Sequence, residues 1–251
     1  MNYTKLGESG LTISRLVLGC MSYGEPGRGG HGWSLDEDAS RPFFRAAVEA
    51  GITTFDTANV YSLGSSEVIT GRMLREFTTR DQVLIATKLA MPMGQHVAEL
   101  GGWTPFVSMQ DQYNPIMREE EREMHPFCSA TGVGVLSYSP LARGRLSRPY
   151  GAASERLGLD ETGAKLYRQD ETSDRAIADV VGTIADERGI SRAQVVLAWQ
   201  FTKPAVSAPI IGATKPNHLS DAVAALEIQL TADEVARIEA PYTPRRPEGF
   251  V

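Results

Sequence analysis

Short apolar runs alternate along the chain with stretches in which apolar residues recur every three to four positions. Runs at 15–20, 52–57, 82–88, 106–110, 133–138 and 208–212 are bounded by glycine, proline or polar clusters. Runs of that length and setting predict strands buried on both faces. Between them the helical period predicts a helix from Ser34-Leu35-Asp36 to a stop at Gly51, then helices over 66–77, 117–131, 174–188, 191–202 and 217–226. A last helix is opened by Thr231-Ala232-Asp233-Glu234, where Thr231 and Glu234 have the spacing of a capping box. Loops rich in glycine fall at 24–32 and 143–172, and the proline-rich tail after Pro241 is expected on the surface. The coarse alternation of strand and helix predicts a parallel sheet covered by helices, an α/β fold.

Two of these runs end in polar residues. GITTFDTANVY (51–61) places Asp56 after Phe55, with Tyr61 five residues on, and VLIATK (83–88) ends in Lys88. Asp56 and Lys88 are therefore expected at the carboxyl ends of two parallel strands, the edge where ligands bind in such folds. A phenol has a pKa of about 10 and is a poor acid at neutral pH. A neighbouring ammonium stabilises the phenolate and lowers that value, and a carboxylate holds the ammonium in place. Singly, each residue reads as a cap or a solvated group. Together they describe a proton donor for a carbonyl oxygen.

These strings resemble the aldo-keto reductases, and the resemblance runs from near residue 3 to the C-terminus. YTKLGESGLTISRLVLGCM (3–21) is similar to the family's opening, a β-hairpin turning at Glu8-Ser9-Gly10 and then the first barrel strand. FVSMQDQYNP (106–115) and VLSYSPLARGRL (135–146) resemble two later strands with their loops, and APIIGATKPNHLSDAVAAL (208–226) the last strand and cofactor loop. The GEPGRGGHGW and REEEREM stretches look closest to a bacterial branch. The resemblance implies a TIM-type (β/α) barrel with an N-terminal hairpin. It also implies NADPH-dependent reduction of an aldehyde or ketone to an alcohol. Tyr61 would be the acid, Lys88 its pKa-lowering partner and Asp56 the residue that orients Lys88.

The resemblance also assigns a cofactor site. Cys20 and Met21 would offer backbone near the nicotinamide, Gln110 would bond its carboxamide, and Tyr138 would stack on the ring. Ser139, Pro140, Leu141, Arg143 and Gly144 would line the pyrophosphate, with Arg148 and Arg156 in the segment that folds over it. Gly212 permits close backbone approach, and the helix starting near Pro216-Asn217 points free N–H groups outward. Thr214 and Lys215 would hold the 2′-phosphate. His218 takes the place of a more usual glutamine and Asp221 that of the adenine-side glutamate, while Ala222 departs from the asparagine of many relatives.

One part of the family pattern is absent. Only LAMPMGQHVAELGGWTP (89–105) separates Lys88 from the strand expected at 106–110. At about 30 residues per βα unit, roughly 60–80 residues are missing, with the junction near Met93-Gly94. Six strands remain where the family has eight, and no residue matches the family's catalytic histidine. His31, His96 and His125 read as surface or capping residues, and His218 belongs to the cofactor loop. Six strands allow a tightened barrel, an open sheet with exposed edges, or completion by a second chain. An incomplete or remodelled barrel, oligomeric and of weak activity, is the expectation. The competing reading is a catalytically inactive NADPH-binding or interaction protein.

Composition narrows the classes further. A chain of 251 residues, 42% hydrophobic, can bury one core, so a single domain over 1–251 is expected. The net charge of −6 offers no footprint for nucleic acid. No apolar run approaches the ~18 residues of a membrane span, and the first twenty residues lack the pattern of a signal peptide. Cys20 and Cys128 make neither a disulfide framework nor, with the histidines, a metal-ligand spacing. The expected setting is cytoplasmic, with a small-molecule carbonyl compound as partner.

Overall fold

The computed structural model describes residues 1–28, 32–88, 106–152, 163, 166–167 and 171–245. An antiparallel hairpin comes first: β1 (Tyr3–Lys5) pairs with β2 (Thr12–Ser14), Tyr3 opposite Ser14. Gly7 sits in its turn at φ 53°, so close to Gly132 that an added Cβ would lie 2.1 Å from the Gly132 carbonyl oxygen. Only glycine fits there. Leu6 and Ile13 of the hairpin pack with Val17, Leu136, Ala208 and Ile210, plugging the amino end of the sheet.

The six predicted strands are all present: β3 (Val17–Gly19), β4 (Thr54–Asp56), β5 (Leu84–Ala86), β6 (Ser108–Gln112), β7 (Gly134–Tyr138) and β8 (Val206–Ile211). They are parallel and lie in the order β5-β4-β3-β8-β7-β6. The central strands β3, β4 and β8 are buried along their whole length, which is why they read as continuous apolar runs. The helices are α1 (Glu37–Glu49), α2 (Ser65–Phe77), α3 (Met124–Thr131), α4 (Glu171–Arg188), α5 (Arg192–Phe201), α6 (Pro216–Ala224) and α7 (Ala232–Glu239). Asp36 caps α1 by accepting from the Ala39 N–H. The Thr231/Glu234 box at α7 is formed in both directions, as is a Ser191/Gln194 box at α5.

One helix is shorter than its pattern. Of the expected 117–131, residues Glu119–Glu121 form a 3₁₀ turn and α3 starts only at Met124. The glutamates there are engaged elsewhere: Glu119 accepts from Tyr242 and the Arg245 N–H, and Glu121 from Tyr113 and Arg118. These contacts anchor the 118–121 turn and compete with continuation of the helix.

The strand order speaks against the tightened barrel, one of the three arrangements open to six strands. β5 and β6 stand at opposite ends of the sheet and, among the described residues, share no ladder. Ile85 on β5 is 39% exposed, whereas Phe55 on the neighbouring β4 is fully buried. Yet the sheet is curled enough for Gln110 of β6 to hydrogen-bond Asp56 of β4 at 2.7 Å. The result is a curled half-barrel, an incomplete TIM-type α/β barrel. Among the described residues, no helix is long and apolar enough to cross a membrane.

Candidate active site

Alternation along β4 aims its last residue. Phe55 stacks on Phe44 of α1, at 6.0 Å between ring centroids, so Asp56 points the other way, into the curl of the sheet. Lys88, two residues beyond β5, donates to Asp56 Oδ1 (2.8 Å), Asp56 Oδ2 (2.7 Å) and the Thr57 carbonyl (3.1 Å). Three ammonium hydrogens thus meet three acceptors. The same Nζ lies 4.8 Å from the centroid of the Tyr61 ring. Asp56 also accepts from Gln110, whose neighbours Met109 and Asp111 face the opposite side of β6.

The electrostatics differ from expectation at Tyr61. Burial pushes its phenol above the ordinary value, and Lys88, although it pulls downward, does not overcome this. Asp56 is likewise raised by burial, opposed by Lys88 and then Gln110. The expected lowering of the phenol fails because desolvation disfavours the phenolate more than one partly shared ammonium favours it.

Backbone strain marks the same sheet edge. Among the described residues, five non-glycine residues have positive φ: Ser62, Leu63, Ser139, Ala142 and Arg143. All five lie in two loops, one after β4 and one after β7. Such conformations cost about 1–3 kcal/mol each and persist only where surrounding contacts impose them. At the first loop, Ser65 Oγ donates to the Ser62 carbonyl and accepts from the Glu25 N–H, while Ser66 Oγ donates to the Cys20 carbonyl. At the second, Asn114 Nδ2 donates to the Ser139 carbonyl.

The other predicted positions fall on the same edge. Cys20 is buried in the turn after β3, its thiol pushed up to about 12 by burial, and Met21 follows it half-buried. Tyr138 ends β7, half-buried, its phenol pushed up to about 12, again by burial. Pro140 is buried, and Ser139, Leu141, Arg143 and Gly144 are half-buried. After β8, Gly212 is exposed, and the Thr214 N–H donates to His218 Nδ1 at 3.3 Å. Lys215 stands exposed at the N-cap of α6 with Pro216 next, and Asp221 is half-buried further along the helix. Ala222 is buried in the core.

Asp56, Tyr61, Lys88 and Gln110 are therefore brought together directly, while the 139–144 and 212–221 segments follow the adjacent strands β7 and β8. The N-terminal N–H groups of α6 and the exposed Lys215 beside them are donors suited to a phosphorylated dinucleotide. His125 corrects its prediction. It is buried on α3 and lies 2.6 Å from Asp111 Oδ2. His31, His96, Arg156 and the junction at 93–96 lie outside the described residues.

Comparison with known proteins points the same way. The sequence model of the aldo/keto reductase family matches residues 15–100 and 94–242, two stretches that overlap. A versiconal hemiacetal acetate reductase of Aspergillus parasiticus is 30% identical over 339 aligned positions, covering 98% of each chain. An aldo-keto reductase of Alternaria alternata is 30% identical over 346 positions, covering 98% of this chain and 93% of its own. Another, of Metarhizium robertsii, is 30% identical over 349 positions, covering 99% and 93%. These relatives are fungal, and the bacterial affinity expected from the sequence is not carried by them.

Proposed function

The chain belongs to the aldo/keto reductase family, and on that premise we propose that it reduces an aldehyde or ketone to the alcohol with NADPH, slowly. The observation that carries the reading is the contact of Lys88 with both carboxylate oxygens of Asp56 and with the face of Tyr61. NADPH, when bound, supplies the hydride. The protein's part is to hold and move a proton. Tyr61, raised by burial, keeps its phenolic hydrogen at neutral pH and gives it up only as charge develops on the carbonyl oxygen. The phenolate left behind is stabilised by Lys88, which Asp56 keeps in place. Gln110 and Tyr138 would hold the nicotinamide near the backbone of Cys20 and Met21. Ser139, Pro140, Leu141, Arg143 and Gly144 would receive the pyrophosphate. Gly212, Thr214, Lys215, His218 and Asp221 would grip the adenosine phosphate end.

The slow rate follows from a shortened chain. Alignments of 339 to 349 positions for a chain of 251 residues support the reading that βα units between Lys88 and β6 are missing. So does a family match broken into two stretches near residue 94. Loss of one donor to the developing oxyanion, here the family's histidine, typically costs ~10²–10³ in rate. The lack of a match to the family's histidine favours a second reading, an inactive NADPH-binding or interaction protein. A cytoplasmic, oligomeric protein completes the proposal.

Titration of protein fluorescence with NADPH and NADH tests the cofactor assignment. NADPH is expected to bind more tightly, and Lys215→Ala to weaken NADPH much more than NADH. Equal affinity for both, or no binding, would remove the assignment. Consumption of NADPH with nitrobenzaldehyde separates the two readings: slow turnover supports the reductase, and none at any pH supports the inactive protein.

A further inference from the structure

The bond between Gln110 and Asp56 joins two parts of the sheet that no ladder joins. Gln110 lies on β6, the last strand at one end of the order, and Asp56 on β4, next to the strand at the other end. An amide nitrogen at 2.7 Å from a carboxylate oxygen donates to it, because the carboxylate can only accept. Among the described residues the Gln110 Oε1 makes no hydrogen bond, so one half of the amide is committed to Asp56 and the other is left for a ligand. The strand itself is fixed from behind: Asp111 faces outward and meets His125 of α3 at 2.6 Å, with both side chains buried. Gln110 therefore reaches Asp56 from an anchored backbone.

We infer that Gln110 is a positioning residue of the active site, which holds the Asp56 carboxylate charged and aimed at Lys88. The functional half of this inference rests on the reductase reading above; the geometric half does not. The groups that face Asp56 are Cys20 from the turn after β3, Tyr61 from the loop after β4, Lys88 beyond β5 and Gln110 from β6. Burial presses the carboxyl toward its neutral form, and only Lys88 and Gln110 oppose it. Without the Gln110 donor, Asp56 takes up a proton at a higher pH. A neutral Asp56 no longer tethers the ammonium, so Lys88 is freer to leave Tyr61.

A charge placed at position 110 reads this contact out. Two carboxyls at hydrogen-bonding distance cannot both ionise cheaply and share one proton. Melting temperatures of the full chain are to be measured from pH 5 to pH 8 for the wild type, Q110E, D56N and D56N/Q110E. Q110E should melt near the wild type at the acid end and fall by several degrees more than the wild type toward pH 8. D56N/Q110E should lose that extra pH dependence, since an asparagine can donate to the new carboxylate. If Q110E does not fold at neutral pH, restoration of a cooperative melt in D56N/Q110E carries the same meaning. A Q110E slope equal to that of the wild type, or additive effects in the double variant, would overturn the inference. In the catalytic arm, Q110A should move the acidic limb of the nitrobenzaldehyde rate profile upward. Its rate should fall about tenfold on that limb for each pH unit of displacement, beyond a smaller pH-independent deficit from the lost carboxamide contact that persists at alkaline pH. A uniform fall at every pH would mean a merely structural residue. Absence of turnover in the wild type would defeat the reductase reading and leave the melting result to decide the contact.

Discussion

At the scale of single residues, the phenol of Tyr61 carries the proposed chemistry. It touches Lys88 through its ring and sits in a loop where Ser62 and Leu63 hold positive φ. Tyr61→Phe removes the proton donor and little packing, so turnover should fall by ~10²–10⁴ while the melting temperature barely changes. Comparing rates and melts of the two proteins checks this. The trio itself was legible, because strand-end positions follow from two short apolar runs. The direction of the phenol's shift was not, since burial depends on how far the sheet curls. His125 was missed for a related reason. Its helix shows a buried face at His125 and Cys128, three apart. That face meets β6, and the Asp111 partner emerges only from a register in which Gln110 faces inward and Asp111 outward.

At the scale of elements, α4 and α7 are clamped by two ion pairs, Arg237 with Glu187 at the surface and Arg188 with Glu234. Arg188 donates through Nε and Nη2 to the two carboxylate oxygens of Glu234, at 2.5 and 2.6 Å. Glu234 is also the reciprocal acceptor of the Thr231 capping box. The Arg188 bond holds its carboxyl down at about 2 from an ordinary 4.5. A group lowered on folding gives stability that is full above its unfolded value and lost as pH falls through its folded value. Glu234→Gln should therefore lower the melting temperature at pH 7 and converge with the wild type near pH 2, as thermal melts across that range would record. Convergence absent, or no difference at pH 7, would mean the clamp is solvated. Thr231-Ala232-Asp233-Glu234 announced the helix start because capping is local. Arg188 was invisible as a partner because it lies 46 residues away. The broken 117–131 helix has the same origin, glutamates engaged by Tyr113 and Tyr242, which no local pattern contains.

At the scale of the whole molecule, the six strands were legible as short apolar runs, and the end-to-end relation of β5 and β6 was not, because pairing between distant strands leaves no local trace. Among the described residues the outer edges of β5 and β6 carry no partner strand, and Ile85 is part-exposed; both favour association, so we propose a homodimer or higher oligomer. Light scattering coupled to gel filtration at micromolar concentration checks it; a cooperatively melting monomer would mean that the Gln110 bridge suffices to close the sheet. Sequencing of the gene across codons 88–104 is expected to give one uninterrupted reading frame, as a genuine internal loss requires. The central claim, carbonyl reduction with the proton held at Tyr61, is tested most directly by isotope transfer. The chain would be mixed with nitrobenzaldehyde and NADPH deuterated at the hydride-donating carbon, and the alcohol analysed by mass spectrometry. The account predicts alcohol carrying deuterium with the wild type and only background with Tyr61→Phe. Deuterated alcohol in equal yield from both, or from neither, would contradict it.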